Sequence, residues 1–278
     1  MRRLRIRIQA LAKSATSNTM YGVAAAAIYD QCPSPDFGPV LSFIRRESPD
    51  AERAFDMGCG TGTLMRLLSD RGMQVEGCDP SAAMVRAARD KNPSARVSRA
   101  GASDFAPRTR PDLLTATFDV VNHLPSLPAI AAFLRRAALT LGPGGTLIFD
   151  TVTPDDIDRN WHSYVGVDRL PTTVLVRSGR RLGPGRGTLT YEFFRRRADG
   201  AWELEVERHQ LRTATKAWYT AALRSAGFRD PLFVDGSTLG APNWQTVRWL
   251  VAAKTAAITR RRPRDQTTRS TRRDAREA

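Results

Sequence analysis

The chain has 278 residues, of which 41% are hydrophobic, and a formal net charge of +15 at pH 7. This length allows one or two domains with a substantial buried core. The sequence has no run of eighteen or more apolar residues, which excludes a membrane-spanning helix. Cys32, Cys59 and Cys78 have no metal-ligand spacing, so we expect reduced cysteines, no metal site and a cytoplasmic protein.

Much of the positive charge lies at the two ends of the chain. Residues 1–19 carry five basic residues and no acidic one, and residues 256–278 carry eight arginines against three acidic residues. Neither end has a sustained apolar pattern, so we expect basic disordered tails. An arm that binds nucleic acid is the alternative interpretation. The preference for arginine over lysine favours a GC-rich bacterial genome.

Two helices are predicted before the first strand. The alanine-rich stretch that begins at Met20 predicts one helix, and the apolar spacing over residues 37–46 predicts a second after three prolines. Tyr21 and Tyr29 are slightly more than two helical turns apart and therefore share a face. Either they border a binding site or they simply pack inside the protein.

Residues 54–68, AFDMGCGTGTLMRLL, predict a buried strand that passes through a glycine turn into a helix. Gly58, Gly60 and Gly62 allow positive φ angles and a close approach of the backbone to a ligand. Asp56 lies near the end of the strand. Asp79 follows about 20 residues after the turn, at the end of a second predicted strand, where a carboxylate binds ribose hydroxyls in such units. The pattern predicts a nucleotide-type site; a plain tight turn is the alternative.

A third strand is expected around residues 95–99, and residues 111–124 predict a fourth strand with its following loop. Ligands of open parallel sheets bind beyond the carboxyl ends of the strands, so this loop should border the ligand. Its candidate residues are Thr117, Phe118, Asp119, Asn122 and His123. His123 stands out because the chain has three histidines; packing behind the ligand is its alternative role.

The remaining elements follow a regular order. Residues 130–141 predict a helix and residues 146–150 a fifth strand, and residues 172–213 predict three or four antiparallel strands. In the last of these strands, Trp202, Leu204 and Val206 alternate with three glutamates. A helix over residues 216–226 and strands over 231–235 and 246–253 complete the prediction.

Three segments together carry a family resemblance. DMGCGTG (residues 56–62), GCDPS (77–81) and LGPGGTLIFD (141–150) resemble motifs I and II and the fifth-strand turn of class I S-adenosylmethionine-dependent methyltransferases. The resemblance covers about residues 21–254. It implies an α/β fold with a Rossmann-like seven-stranded sheet, helices on both faces and a small inserted antiparallel β-sheet. The S-adenosylmethionine-binding domain would comprise residues 20–154 and 213–255, and the inserted substrate cap residues 155–212.

The resemblance also implies S-adenosylmethionine as the cofactor and a set of residues that bind it. The position where the family usually has an acidic residue for the adenine amine falls on Gly101, so Ser103 or Asp104 would accept that hydrogen bond, with the amide of Ala102 against the ring. A Tyr-Asp pair that closes over the cofactor is matched by Tyr29 and Asp30. The expected cofactor-binding residues are Tyr21, Tyr29, Asp56, Gly58, Cys59, Gly60, Thr61, Gly62, Asp79, Pro80, Met84, Gly101, Ala102, Ser103, Thr117 and Phe118.

An inserted sheet after the fifth strand resembles small-molecule N- and O-methyltransferases that act on amino sugars and other secondary metabolites, including antibiotics. The expected reaction is transfer of a methyl group to a nitrogen or oxygen of a small molecule. A neutral amine needs no strong base, whereas a hydroxyl acceptor would be helped by one, and His123 is the catalytic candidate. The expected substrate-binding residues are Asn122, Trp161, His162, Tyr164 and His209.

Two other functions remain open at this point. An RNA methyltransferase could hold phosphates with its basic ends, although the sequence has no NPPY-like or paired-cysteine signature of base methylation. A methyltransferase-like protein could bind the cofactor and catalyse another reaction, such as cyclisation. The expected partner is a small-molecule acceptor rather than nucleic acid or a membrane, and aromatic residues of the insertion could instead form a homodimer interface.

Overall fold

The computed structural model describes residues 21–32 and 36–256. The predicted tails, residues 1–19 and 256–278, lie outside the described residues apart from Ala256. Among the described residues, none of the helices has the length and apolarity needed to cross a membrane.

A seven-stranded sheet forms the centre of the molecule. Its strands are β1 (Arg53–Met57), β2 (Gln74–Asp79), β3 (Arg96–Arg99), β4 (Leu113–Ala116), β5 (Thr146–Val152), β10 (Phe228–Asp235) and β11 (Arg248–Thr255). A separate four-stranded sheet consists of β6 (Val165–Arg169), β7 (Thr173–Gly183), β8 (Arg186–Arg196) and β9 (Trp202–Arg212). The predicted α/β fold, with its inserted antiparallel sheet, is confirmed.

Seven α-helices accompany the two sheets in the described part of the chain. They are α1 (Val23–Ile28), α2 (Gly38–Glu47), α3 (Thr63–Ser69), α4 (Ala82–Lys91), α5 (Leu127–Thr140), α6 (Pro154–Asn160) and α7 (Lys216–Ser225). The sequence did not predict α6 or β6. The helix α6 begins where the hydroxyl of Thr153 accepts a hydrogen bond from the backbone N–H of Asp156.

The order of strands in the main sheet is β10-β11-β5-β4-β1-β2-β3. The strands β1 to β5 are mutually parallel, whereas β11 runs antiparallel to both β5 and β10. Every residue of β4 and β5 is buried, as expected for strands covered on both faces. The strand order reverses between β1 and β4, so their carboxyl ends open a crevice.

The four-stranded sheet lies between β5 and α7 in the chain and packs on the N-terminal helix. Leu175 and Phe193 of its inner face contact Ala25 and Ile28 of α1 in one apolar cluster. This contact places the inserted sheet beside the carboxyl ends of the central strands. The predicted alternation along β9 is confirmed, with the glutamates half-buried and the apolar residues Trp202, Leu204 and Val206 exposed.

Candidate functional site

The loop that follows β1 has the backbone conformation that its glycines predict. Gly58 has a φ of 72° and Gly60 a φ of 54°. A Cβ added at Gly60 would meet no atom within 4 Å, so its backbone faces open space that a ligand can occupy. The loop therefore fits the close approach that the predicted cofactor requires.

Glycine is required at position 62 because the packing there leaves no room for a side chain. A Cβ at this position would lie 2.5 Å from the Nδ2 of Asn92 and 3.0 Å from the Cβ of Ala88. Gly62 thus allows α3 to pack against α4. The contact of Gly62 with the cofactor stays a prediction.

Asp79 ends β2 beside the glycine loop. Its carboxylate accepts hydrogen bonds from the backbone N–H groups of Gly60 at 3.0 Å and Ser81 at 2.8 Å. Burial raises the pKa of Asp79, and the two N–H donors oppose that rise. One carboxylate thus fixes the loop and lies at the edge of the site where ribose hydroxyls would bind.

Asp56 lies in the buried part of the crevice. The hydroxyl of Thr115 in β4 donates a hydrogen bond to Asp56 at 2.7 Å. Burial raises the pKa of Asp56 to about 7, Thr115 opposes the rise, and the charge of Asp79 adds to it. A carboxyl group that changes its charge near neutral pH therefore lies at the base of the loop.

A set of polar contacts joins the end of the N-terminal helical segment to the glycine loop. Asp30 accepts hydrogen bonds from the hydroxyls of Thr61 at 2.7 Å and Thr63 at 2.9 Å, and forms an ion pair with Lys91 at 2.6 Å. These contacts hold Tyr29 above the loop. The sequence pairs Tyr29 with Asp30 but does not reveal Thr63 or Lys91, because each lies on a different helix.

A narrow cavity of about 60 Å³, here called the loop cavity, lies over the glycine turn. Its lining also includes Phe37, Thr63, Leu64 and Val120, which were not predicted from the sequence. The catalytic candidate His123 also borders it. Ten of the expected cofactor-binding residues line this cavity: Tyr21, Tyr29, Asp56, Gly58, Cys59, Gly60, Thr61, Met84, Thr117 and Phe118.

The expected adenine side of the site lies outside the loop cavity. Gly101, Ala102 and Ser103 follow the end of β3, and the N–H of Gly101 donates to the carboxylate of Asp104 at 2.8 Å. Pro80 is exposed beside Asp79. These residues share the carboxyl edge of the sheet with Asp79, and their contact with adenine stays a prediction.

His123 ends a short 3-10 helix, Val121–His123, after β4. Its Nε2 lies 3.2 Å from the hydroxyl of Tyr21, and within the described residues its Nδ1 has no hydrogen-bond partner. Burial lowers the pKa of His123 to about 4, although the charge of Asp119 opposes this shift. His123 is therefore neutral at physiological pH and is a weak base.

A partly buried guanidinium group lies next to this loop. Arg248 of β11 donates hydrogen bonds to the carboxylates of Asp119, at 2.7 Å, and Asp150. Burial disfavours the charge of Asp119, but Arg248 holds its pKa below the ordinary value. Of these three residues the sequence predicts Asp119 alone as a site residue, because Arg248 comes from β11, which is remote in the chain.

A second cavity of about 690 Å³, here called the sheet cavity, lies between the main sheet and the inner face of the four-stranded sheet. Tyr21, Tyr29 and Phe118 border both cavities. These three side chains lie where the two cavities meet and would contact a ligand in either cavity. The volume suits a small-molecule ligand, for which pockets are typically about 300–1,000 Å³.

The structure places some of the expected substrate-binding residues at the sheet cavity and others outside it. Trp161, Tyr164 and His209 line the sheet cavity. His162 is exposed and lines neither of these two cavities, and its contact with a substrate stays a prediction.

Asn122 makes its hydrogen bonds within the protein. Its side chain is fully buried, and its Nδ2 donates to the hydroxyl of Thr151 at 2.8 Å and the carbonyl of Arg212 at 2.7 Å. Its Oδ1 accepts a hydrogen bond from the N–H of Val152. Asn122 joins β5 to the end of β9 and lines neither of these two cavities, and its contact with an acceptor stays a prediction.

His209 lies on the inner face of β9 and is 1% exposed. Its Nε2 lies 3.0 Å from a carboxylate oxygen of Glu207, and its Nδ1 has no hydrogen-bond partner among the described residues. The rings of Tyr21, His123 and Tyr191 surround it, with centroids 4.7, 5.3 and 4.8 Å away. Glu207 also accepts hydrogen bonds from the N–H groups of Tyr21 and Gly22.

Comparisons with known proteins agree with this geometry. The model of the family described as "Methyltransferase domain" matches residues 35–230. A dTDP-3-amino-3,6-dideoxy-alpha-D-glucopyranose N,N-dimethyltransferase from Streptomyces fradiae is 28% identical over 203 residues, which cover 68% of this chain and 74% of that protein. A ubiquinone biosynthesis O-methyltransferase from Bradyrhizobium sp. is 34% identical over 116 residues, or 40% of this chain and 42% of that one.

Solved structures share this fold over most of the chain. The S-adenosylmethionine-bound CalS10 from Micromonospora echinaspora, an amino pentose methyltransferase of calicheamicin biosynthesis, superimposes with a TM-score of 0.68 at 26% identity. The alignment covers 86% of this chain and 99% of that one. A methyltransferase from Clostridium acetobutylicum ATCC 824 has a TM-score of 0.72 at 18% identity, covering 84% and 98% of the two chains, which shows the same fold.

Proposed function

This chain belongs to the family of class I S-adenosylmethionine-dependent methyltransferases, and we propose that it methylates the amino group of an amino sugar in secondary metabolism. The single observation that carries the choice of an amine is the charge of the sheet cavity. Acidic groups outnumber basic groups in its lining. The carboxylates are those of Asp36, Asp119, Asp150, Asp156 and Glu207, and the guanidinium groups are those of Arg177 and Arg248. Such a lining attracts a cationic amine.

The named relatives support the same choice. The Streptomyces fradiae protein is named for a nucleotide-linked amino sugar, and CalS10 is an amino pentose methyltransferase. A hydroxyl acceptor is the alternative, since the Bradyrhizobium relative is named an O-methyltransferase. That match spans less than half of either chain, so it supports the alternative less strongly.

The protein's own residues would mainly bind and orient the reactants. The glycine loop with Asp79 would bind the cofactor, which supplies a methyl group on positively charged sulfur that needs no further activation. Tyr21, Tyr29 and Phe118 would separate cofactor and acceptor from water at the junction of the cavities. His123, neutral because of its low pKa, would hold the Tyr21 hydroxyl in place.

The test is to incubate the protein with S-adenosylmethionine and dTDP-3-amino-3,6-dideoxyglucose and to analyse the products by mass spectrometry. The proposal predicts S-adenosylhomocysteine together with an acceptor that has gained one or two methyl groups on nitrogen. A matched 3-hydroxy sugar nucleotide should remain unmodified. Methylation of RNA, or conversion of an acceptor without methyl gain, would overturn the proposal in favour of an RNA methyltransferase or a cyclase.

A further inference from the structure

The carboxylates that line the sheet cavity differ in how far their oxygens are already bonded within the protein. Each oxygen of Glu207 and each oxygen of Asp156 accepts a hydrogen bond from a donor of the protein itself. The same is true of Asp150, whose oxygens bind the N–H of Asp119 and the guanidinium group of Arg248. The protein thus supplies a donor to every oxygen of these three carboxylates.

The other two carboxylates of this lining, Asp36 and Asp119, each have one oxygen with no hydrogen-bond donor among the described residues. Asp36 is exposed, so water screens its charge. The side chain of Asp119 is 19% exposed, and its Oδ1 accepts a hydrogen bond from Arg248 at 2.7 Å. Its Oδ2 is not one of the buried polar atoms that lack a partner in the described part of the chain. Oδ2 of Asp119 is therefore shielded from bulk water and still open to a ligand.

Asp119 lies close to the cofactor side of the site. Its two neighbours in the chain, Phe118 and Val120, both line the loop cavity, whereas Asp119 itself lines the sheet cavity. A Cβ added at Gly58 would overlap the side chain of Val120, so this turn rests directly on the glycine loop. Asp119 thus lies where the two cavities meet, which is where a methyl donor and its acceptor would come together.

The backbone of this turn has an uncommon conformation. Phe118 has a φ of 61° and Asp119 a φ of 71°, in the left-handed region that residues other than glycine rarely adopt. Two hydrogen bonds hold the turn: the N–H of Asp119 donates to Asp150 at 3.1 Å, and the carbonyl of Asp119 accepts from the N–H of His123 at 3.0 Å. Such conformations are costly and concentrate at functional sites. Here the turn fixes Asp119 at the sheet cavity between two residues of the loop cavity.

The carboxylate of Asp119 is charged although it is partly buried. Burial disfavours its charge, but Arg248 holds the pKa of Asp119 below the ordinary value, and His123 and His209 act in the same direction. Asp119 and Asp150 share the guanidinium group of Arg248, so these three side chains together keep a net negative charge. A carboxylate in such surroundings attracts a positive group more strongly than it would in bulk water.

We propose that Oδ2 of Asp119 orients the amine of the acceptor and stabilises the positive charge that develops on its nitrogen, an inference that rests on the proposed function. The ammonium form of the acceptor gives one proton to solvent, and an N–H of the neutral amine then donates to Oδ2. The lone pair of the nitrogen forms the new N–C bond as the C–S bond of S-adenosylmethionine breaks, and the electron pair of that bond stays on sulfur. The product leaves as an N-methylammonium ion that keeps its protons.

This role of Asp119 favours an amine over a hydroxyl. During the reaction positive charge moves from sulfur to nitrogen, and a fixed carboxylate beside the nitrogen stabilises the transition state more than the ground state. A hydroxyl acceptor would instead need a base to take its proton. The low pKa of Asp119, which Arg248 maintains against the effect of burial, makes this carboxylate a poor base for that purpose.

The first test needs no acceptor. In sinefungin, a carbon that bears an amino group replaces the sulfur that bears the methyl group of S-adenosylmethionine, so its ammonium group probes the surroundings of the transferred methyl. In isothermal titration calorimetry, the wild type should bind sinefungin about fivefold or more tightly than S-adenosylhomocysteine. Asp119→Asn should lose this preference and keep its affinity for S-adenosylhomocysteine, which also shows that the variant is folded. The control is Asp112→Asn, which changes a carboxylate paired with Arg53 just before the start of β4 and should behave like the wild type. A wild type without the preference, or an Asp119→Asn variant that keeps it, would overturn the proposal.

The second test uses dTDP-3-amino-3,6-dideoxyglucose as the acceptor. Asp119→Asn should lower kcat/KM about 10- to 100-fold, mainly through kcat, because a hydrogen bond to a charged group is lost. The affinity of the protein loaded with S-adenosylhomocysteine for the matched 3-hydroxy sugar nucleotide should not change, whereas a merely structural role would weaken the binding of both sugars alike. Equal losses for the two sugars, or a wild-type kcat in Asp119→Asn, would overturn the proposal. Failure of the proposed function differs, because the wild type itself would then methylate no amine, and the sinefungin comparison would still decide whether Asp119 faces the reacting atoms.

Discussion

The carboxylate of Asp79 accepts a hydrogen bond from the backbone N–H of Gly60 at 3.0 Å, joining the end of β2 to the turn that follows β1. A second N–H, from Ser81, binds the same carboxylate at 2.8 Å. The residue expected to bind the ribose of the cofactor therefore also fixes the loop over which the methionine part would lie. Cofactor affinity should depend on Asp79 both through its contact with the ribose and through its hydrogen bond to the loop.

We accordingly expect Asp79→Ala to weaken the binding of S-adenosylmethionine and S-adenosylhomocysteine by about 10- to 100-fold, the value of one or two hydrogen bonds to a charged group. Isothermal titration calorimetry measures both affinities. Asp90→Ala, which changes an exposed carboxylate on α4, is the control and should bind like the wild type. Unchanged affinity in Asp79→Ala would contradict the assignment of this carboxylate to the cofactor.

Gly60 and Gly72 form a matched pair for testing the glycine loop. Both have positive φ angles, 54° and 88°, and a Cβ at either position would meet no atom within 4 Å. Gly60→Ala and Gly72→Ala should therefore lose similar stability, about 1 kcal/mol each. Only Gly60→Ala should lose cofactor affinity, since its Cβ would enter the loop cavity. Equal affinities in the two variants would show that the open space at Gly60 is not used.

Asp56 should make the stability of the cofactor-free protein depend on pH. Its pKa is raised to about 7 by burial, while an unfolded chain would ionise it near 4. Between these two pKa values, Asp56 keeps its proton in the folded state but loses it in the unfolded state. Asp56 therefore lowers the free energy of unfolding as the pH rises from about 4 to about 7. Asp56→Asn removes this effect. The stability of Asp56→Asn relative to the wild type should be greater at pH 8 than at pH 4.5 in chemical denaturation; a constant difference would rule out the shifted pKa.

Asn122 should be important for folding rather than for substrate binding. Its amide makes three buried hydrogen bonds, with Thr151, Arg212 and Val152. Asn122→Ala should lower the free energy of unfolding by about 2–3 kcal/mol because it leaves buried partners unpaired. Calorimetric melting would measure the loss, and Asn160→Ala, on an exposed side chain, should change the Tm little. An acceptor KM that changes while the Tm does not would restore the original interpretation of Asn122.

The sequence determined the parts of the site that depend on local structure. The glycine turn at Gly58 and Gly60, the carboxylate of Asp79 and the loop that carries His123 all follow the ends of predicted strands. Their residue types and spacing can be recognised within short segments of the sequence, and parallel strands bring their carboxyl ends to one edge of a sheet. The packing of Gly62 could not be predicted in this way, because its packing partner, α4, is remote in the sequence.

Tertiary structure alone decided which distant residues meet. Arg248 reaches Asp119 and Asp150 because β11 lies antiparallel beside β5. Glu207 reaches Tyr21 because the inserted sheet packs on α1. Alternation along β9 predicted two different faces, but a period of two gives no information on which face points inward. Here the acidic face borders the cavity and the apolar face is exposed, and that choice is made by contacts between segments far apart in the chain.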